Sequence, residues 1–338
     1  MEKDMFSALI DEDHDFQEEH YDAKCLDEEN WFISDKDRTK KRYYCLSTAI
    51  ARLDFASIGW GAFGSFADAS RKGRRMMSNK VKISYGKHHS QYGVLRVPER
   101  KEPCPVVVLI HGGFWQSKYD LEENNLIAED LTSRGYATWN IEYRRVGEEG
   151  GGWKGTFNDV IDAINHLSQV KESYHLDLSN VIVMGHSAGA HLALWLASRT
   201  ETKSDQMFNK LLVSIKKVIS LAGVTDLKKM WEFHEEKGMK SHVSALMGGS
   251  PQEVAERYKV VSPIELLPIK TDHVLIHGVK DRHVPIKLSK DYYFKATEQG
   301  SNVRLIVLPY VEHFKIIDPT STAWDSVIDI ICSSRALG

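Results

Sequence analysis

The sequence predicts an α/β fold, a mostly parallel central sheet with helices on both faces and a small helical cap. Three observations carry that expectation. Continuous apolar, β-branched runs recur at residues 106–110, 181–184, 218–222, 274–276 and 303–308, the pattern of strands buried on both faces. Between two of them, residues 156–170 place Phe157, Val160, Ile161, Ile164 and Leu167 at three-to-four-residue spacing, the stripe of an amphipathic helix. Several runs also end directly in glycine-containing turns, so polar residues gather beyond the strands' carboxyl ends, where open α/β sheets bind ligands.

The first 76 residues stand apart. Residues 1–30 hold twelve acidic side chains against Lys3 and Lys24, a solvated charge run without core-forming periodicity. A basic cluster follows at Lys36, Arg38, Lys40, Lys41 and Arg42, then an uncharged, glycine-interrupted stretch at 55–67, too short to span a bilayer. Arg71, Lys72, Gly73, Arg74 and Arg75 can be encoded by a purine-rich run resembling a ribosome-binding site, immediately before Met76 and Met77. Residues 1–76 are therefore expected to be a disordered or non-native extension, with the natural start at Met76 or Met77.

From residue 77 to 338 the chain reads as one domain. Residues 81–85 and 92–97 alternate as partly exposed strands and open the sheet in antiparallel fashion. Pro98, Pro103 and Pro105 punctuate the crossing to the buried run at 106–110. A helix is expected at 124–133, a strand at 137–143, the amphipathic helix at 156–170, then the strand at 181–184 and a helix after it. Residues 226–268 break the rhythm with Trp231, Phe233, His234, Met239, Met247 and Tyr258, and are expected to form two or three short helices as a lid. The same residues could instead complete the core.

Gly185-His186-Ser187-Ala188-Gly189 joins the strand at 181–184 to the following helix. A sharp strand-to-helix turn exposes its serine, and small flanking residues let the chain pass close to its neighbours, so Ser187 is the candidate nucleophile. The run 106–110 ends in His111-Gly112-Gly113-Phe114-Trp115, whose freed backbone amides could hold an oxyanion. The expected donors are Phe114 and Ala188, with Gly113 sharing the first role; the bland alternative is a tight turn with an aromatic plug. Asp281, after the strand at 274–276, is the candidate acid, with Asp226 as its substitute. His313, beyond the last strand, is the candidate base. His186 and His111 read as wall and bracing residues. His277 and His283 flank Asp281 too closely in sequence to be oriented by it easily, and His234 could at most touch substrate.

Composition excludes several classes. Formal charge is −3 without a sustained basic patch, which gives nucleic-acid binding no support. Cys25, Cys45, Cys104 and Cys332 are scattered, without zinc or disulfide spacing, so a reducing cytoplasm is the expected location. No signal peptide or stable membrane association is expected, and self-association into a homo-oligomer is left open. Phe114, Trp115, Trp153 and Trp231 are candidates to supply apolar pocket surface.

His111–Trp115, the 140–145 segment with Glu142, Tyr143, Arg144 and Arg145, the 185–189 pentapeptide and the 277–285 segment together resemble the α/β-hydrolases related to kynurenine formamidase and the BD-FAE carboxylesterases. The resemblance covers roughly residues 80–332. It implies the α/β-hydrolase fold, Ser187 as nucleophile, His313 as base, Asp281 as acid, and an oxyanion loop containing Gly112 and Gly113. It also implies that Tyr143 and Arg144 organise the strand end and pocket floor. The implied chemistry is cleavage of a small carboxylic ester through an acyl-enzyme, needing neither metal nor organic cofactor. An N-formyl aryl amide is the alternative substrate, a peptide bond a less favoured one, and a non-catalytic binding module the competing class.

Overall fold

A computed structural model of the chain describes Tyr43–Tyr44 and residues 78–199 and 207–333. Among the described residues nine strands form one sheet: β1 (Tyr43–Tyr44), β2 (Ser78–Ser84), β3 (Tyr92–Pro98), β4 (Cys104–Ile110), β5 (Ala137–Ile141), β6 (Leu176–His186), β7 (Ile215–Leu221), β8 (Asp272–Gly278) and β9 (Val303–Leu308), in the spatial order β1-β9-β8-β7-β6-β4-β5-β3-β2. β3 runs antiparallel to both β2 and β5, and every other pair is parallel. The extension expected over residues 1–76 lies outside the described residues, apart from Tyr43–Tyr44, which pair with Leu305 and Ile306 at the sheet edge.

The continuous apolar runs have a direct cause. Along β4, Val106, Val108 and Ile110 join one core while Val107 and Leu109 join another, so each face of the strand is covered. The first core lies under α2 (Gly155–Val170), α3 (Ala188–Arg199) and α7 (Ile286–Glu298), which contribute Phe157, Leu192, Trp195 and Tyr292. The second is closed by α1 (Asn125–Ser133) and α8 (Thr322–Ser333) through Leu131, Trp324 and Ile331. Trp324 Nε1 donates to Asp130 Oδ2 at 2.8 Å, tying α8 to α1. The sheet is thus the mostly parallel, doubly covered one expected, while α7 and α8 are helices beyond those expected from the sequence.

Residues 227–261 form three short helices, α4 (Leu227–Glu236), α5 (His242–Met247) and α6 (Ala255–Val261), followed by a 3₁₀ turn at Pro263–Leu266. From β4 the chain passes to β5 on one side and then to β6 on the other, so the strand order reverses at the carboxyl ends of β4 and β6. The glycine loop and Ser187 follow these two ends, the place where such sheets open a crevice.

Candidate active site

β6 ends at His186 and α3 begins at Ala188, leaving Ser187 alone in the turn at φ +53°. A non-glycine residue held there is strained, and the surroundings over-determine it. Its N–H donates to the Leu221 carbonyl at 2.8 Å, and its own carbonyl receives the amides of Ala190 and His191. The flanking glycines are required by close approach. A Cβ on Gly189 would sit 2.1 Å from the Ile110 carbonyl oxygen, and one on Gly185 2.2 Å from that of Gly189.

The loop after β4 faces this turn, with a Cβ built on Gly112 only 3.1 Å from the Ser187 Cβ. Gly113, Phe114 and Trp115 have φ of +86°, +48° and +58°, a left-handed run of three. Among the described residues no acceptor engages the amides of Gly113 or Phe114, whereas the Gly112 amide donates to Glu123 Oε2 at 2.6 Å. Ala188 opens α3, where a backbone N–H has no intrahelical acceptor.

His111 braces this loop from beneath. Its Nε2 meets Glu142 Oε1 at 2.9 Å, its carbonyl accepts the Tyr143 hydroxyl at 3.0 Å, and its ring stacks on Tyr143 at 4.4 Å. Burial disfavours the His111 cation, but the Glu142 carboxylate outweighs this and raises its pKa. Arg144 grips Asp159 of α2 with two guanidinium bonds of 2.9 and 2.8 Å, fixing the segment after β5.

Two proposed pocket residues stand elsewhere than expected. Trp115 and Tyr143 are wholly buried, Trp115 edge-on to His191 at 5.2 Å, so they support the site from the core and present no surface to a substrate. The left-handed backbone at Trp115 drives its indole inward, and the hydroxyl bond to His111 holds Tyr143 under the loop. Trp153 is half-buried among Phe157 and Phe208 with the Arg257 guanidinium over its ring at 5.3 Å. Trp231 is half-buried on α4. Phe114 reaches toward the same segment, stacking on His242 at 4.8 Å and meeting His234 at 5.6 Å.

Asp281 Oδ2 lies 2.6 Å from His313 Nδ1, and its Oδ1 accepts the amides of His283 and Val284 at 2.9 Å each. The sequence reading set His277 aside, but the loop after β8 folds back so that His277 Nε2 lies 3.2 Å from the same Oδ2, while its Nδ1 meets the Ser289 hydroxyl at 2.7 Å. Burial disfavours the Asp281 anion, yet the bonds from His277 and His313 hold its pKa far below the carboxylate range. Burial, helped by neighbouring His186, pushes His313 down to about 4 against the pull of Asp281. Near neutrality the pair is therefore carboxylate and neutral imidazole. Asp226 is engaged otherwise: it caps α4 by accepting the Lys229 amide at 3.0 Å.

His313 is brought to the turn through His186, whose ring lies 4.5 Å from its own and whose Nε2 is 3.1 Å from its carbonyl oxygen. Glu123 is the site neighbour that sequence reasoning missed, and His277 the one whose nearness in sequence argued against the contact with Asp281 that the fold makes. Glu123 follows Glu122 in a polar stretch that reads as solvated surface. Among the described residues His88, His89 and Glu148 come within metal-ligand reach of one another, but both Glu148 oxygens are engaged by Arg145 and one also accepts the Ser90 hydroxyl.

A family model described as BD-FAE matches residues 94–295. The chain is 26% identical over 269 residues to a probable isoprenylcysteine alpha-carbonyl methylesterase from Oryza sativa subsp. japonica, covering 74% of this chain and 62% of that one. It is 25% identical to a kynurenine formamidase from Salmo salar, covering 74% of this chain and 80% of that protein. Among solved structures it resembles an inhibited esterase B from Lactobacillus rhamnosis, with a TM-score of 0.68, 20% identity, and coverage of 80% of this chain and 91% of the other. That likeness shows the α/β-hydrolase fold.

Proposed function

The chain belongs to the BD-FAE family, and from that membership and the geometry of the site we propose that it is a serine hydrolase cleaving small carboxylic esters through an acyl-enzyme. The observation that carries the reading is the 2.6 Å bond from His313 to a buried, ionised Asp281, together with a serine held alone on a strained strand-to-helix turn whose neighbour His186 packs against His313. Such a carboxylate fixes the imidazole tautomer with Nδ1 protonated and Nε2 free to take a proton, and stabilises the cation that forms.

In this reading His313 removes the Ser187 proton as the oxygen attacks the ester carbonyl. The amides of Gly113, Phe114 and Ala188 take the charge on the tetrahedral oxygen; losing one such donor costs about 3 kcal/mol in well-studied hydrolases. His313 then protonates the departing alcohol and activates the water that frees the acid. The helices at 227–261 act as a cap, with Phe114, Trp153 and Trp231 as the apolar surface on which acyl or aryl groups rest. No described helix is long and apolar enough to cross a membrane. We place the reaction in the cytoplasm, where the thiols of Cys104 and Cys332 stay reduced, and on a small-molecule substrate.

The test is covalent labelling by a fluorophosphonate with peptide mapping, together with turnover of short p-nitrophenyl esters and a Ser187→Ala blank. Label on Ser187 and ester turnover absent from the blank are expected; an unlabelled serine overturns the reading. N-formyl aryl amides are the second substrate class, favoured by the similarity to an enzyme named kynurenine formamidase. Turnover of N-formylkynurenine above that of the esters would decide for it.

A further inference from the structure

Glu123 sits in the 3₁₀ turn Leu121–Asn124, after the loop that follows β4, and is largely buried. Its two carboxylate oxygens are divided between two elements. Oε2 accepts the Gly112 amide at 2.6 Å, and Oε1 lies 3.1 Å from His186 Nδ1. The other nitrogen of His186 lies 3.1 Å from the carbonyl oxygen of His313. The turn carrying Glu123 is itself anchored, since the Leu121 amide donates to Glu142 Oε2 at 3.0 Å and Glu142 also holds His111.

We propose that Glu123 is a positioning residue that sets the oxyanion loop, the nucleophile turn and the general base in register through one chain of hydrogen bonds, Gly112 to Glu123 to His186 to His313. The inference rests on the serine-hydrolase reading above. Donor and acceptor rules fix the chain's polarity. A carbonyl oxygen can only accept, so His186 Nε2 donates to His313. Its Nδ1 faces a carboxylate oxygen, so one proton lies in that contact. Burial opposes the Glu123 anion, but His186 outweighs it and lowers the pKa. Space enforces the same register: a Cβ on Gly112 would fall 3.1 Å from the His186 carbonyl oxygen and 3.2 Å from Glu123 Oε1.

The chain depends on reach more than on charge, and this makes it separable from a general structural role. Glutamine has the same length: its oxygen can accept the Gly112 amide while its NH₂ faces His186 Nδ1, and His186 Nε2–H still serves the His313 carbonyl. Aspartate keeps the charge but is one methylene short of spanning both partners. Glu123→Gln is therefore expected to keep kcat on p-nitrophenyl acetate within about threefold of wild type, while Glu123→Asp and Glu123→Ala lose about tenfold to a hundredfold in kcat with KM little changed, as misplacement of an oxyanion donor predicts. Fluorophosphonate labelling of Ser187 should slow in the same order, with melting temperatures recorded alongside. Should Glu123→Ala melt below the assay temperature, the contrast between glutamine and aspartate carries the test. Aspartate working as well as wild type, or glutamine failing as badly as aspartate, overturns the inference while leaving the hydrolase reading intact. A wild-type Ser187 that takes no label overturns both.

Discussion

His277 Nε2 and His313 Nδ1 converge on one oxygen of Asp281, at 3.2 and 2.6 Å. The second imidazole is itself held at both nitrogens, Nδ1 by the Ser289 hydroxyl at 2.7 Å and Nε2 by the Val284 carbonyl at 3.0 Å, and so adds a fixed second contact to the carboxylate.

Asp281→Asn is accordingly expected to fold, to bind substrate, and to lose about 10³-fold or more in kcat, because an amide fixes the wrong tautomer and cannot stabilise the imidazolium. Asp226→Asn should stay within about tenfold, since this side chain caps a helix and asparagine caps nearly as well. Steady-state kinetics on both proteins decide; the reverse order would move the acid to the end of β7.

Ser187→Ala is expected to retain its circular-dichroism spectrum and melting temperature while turnover drops at least about 10³-fold, since no acyl-enzyme can form. Turnover close to wild type in rigorously purified protein would refute the nucleophile.

Much of this site was legible in the sequence because its parts are local. The pentapeptide around Ser187, the glycine pair at 112–113 and the loop with Asp281 each carry their chemistry within a few residues of a strand end. His277, Glu123, Trp115 and Tyr143 were misjudged or missed for the opposite reason. Their roles depend on where a loop folds back or which way a left-handed residue aims its side chain, and periodicity does not encode that. Helices α7 and α8 carry no chemical motif, although Leu288, Tyr292 and Ala296 on α7 are spaced as an amphipathic stripe.

The pH profile follows from the direction of the His313 shift. The base works when neutral and is lost on protonation, so a pKa pushed down to about 4 moves the acid limb of kcat/KM well below the 6–7 of an ordinary histidine. Activity on a pH-stable ester should persist at pH 5 and fall as the pH approaches 4. An acid limb centred near 6.5 would show that burial does not control the base.

Gly113→Ala should cost both stability and rate. Its φ of +86° is costly for alanine, and the new Cβ would lie 2.3 Å from the Tyr119 Cβ. Turnover is expected to fall by about 10²-fold as the donors shift. Gly238→Ala is the control: φ is +64° with nothing within 4 Å, so only a small loss of melting temperature is expected and no loss of turnover.

A chain beginning at Met77 lacks β1, which contributes two residues of edge pairing, and keeps every residue of the proposed site. Its ester turnover is expected within about twofold of the 338-residue protein, because edge pairing of that length adds little. Precipitation, or a tenfold drop in turnover, would show that the removed segment packs against the catalytic unit.

The inward indole of Trp115 has a consequence for anyone wishing to redirect this enzyme. A loop nailed into the interior by its own tryptophan cannot be diversified without unsettling the packing below, so libraries aimed at residues 111–115 should return mostly dead or unstable proteins. Phe114 of the same loop meets His234 and His242 through ring contacts, and if residues 227–261 act as the proposed cap, random variation at 231–242 is expected to change selectivity while the reaction centre keeps its shape.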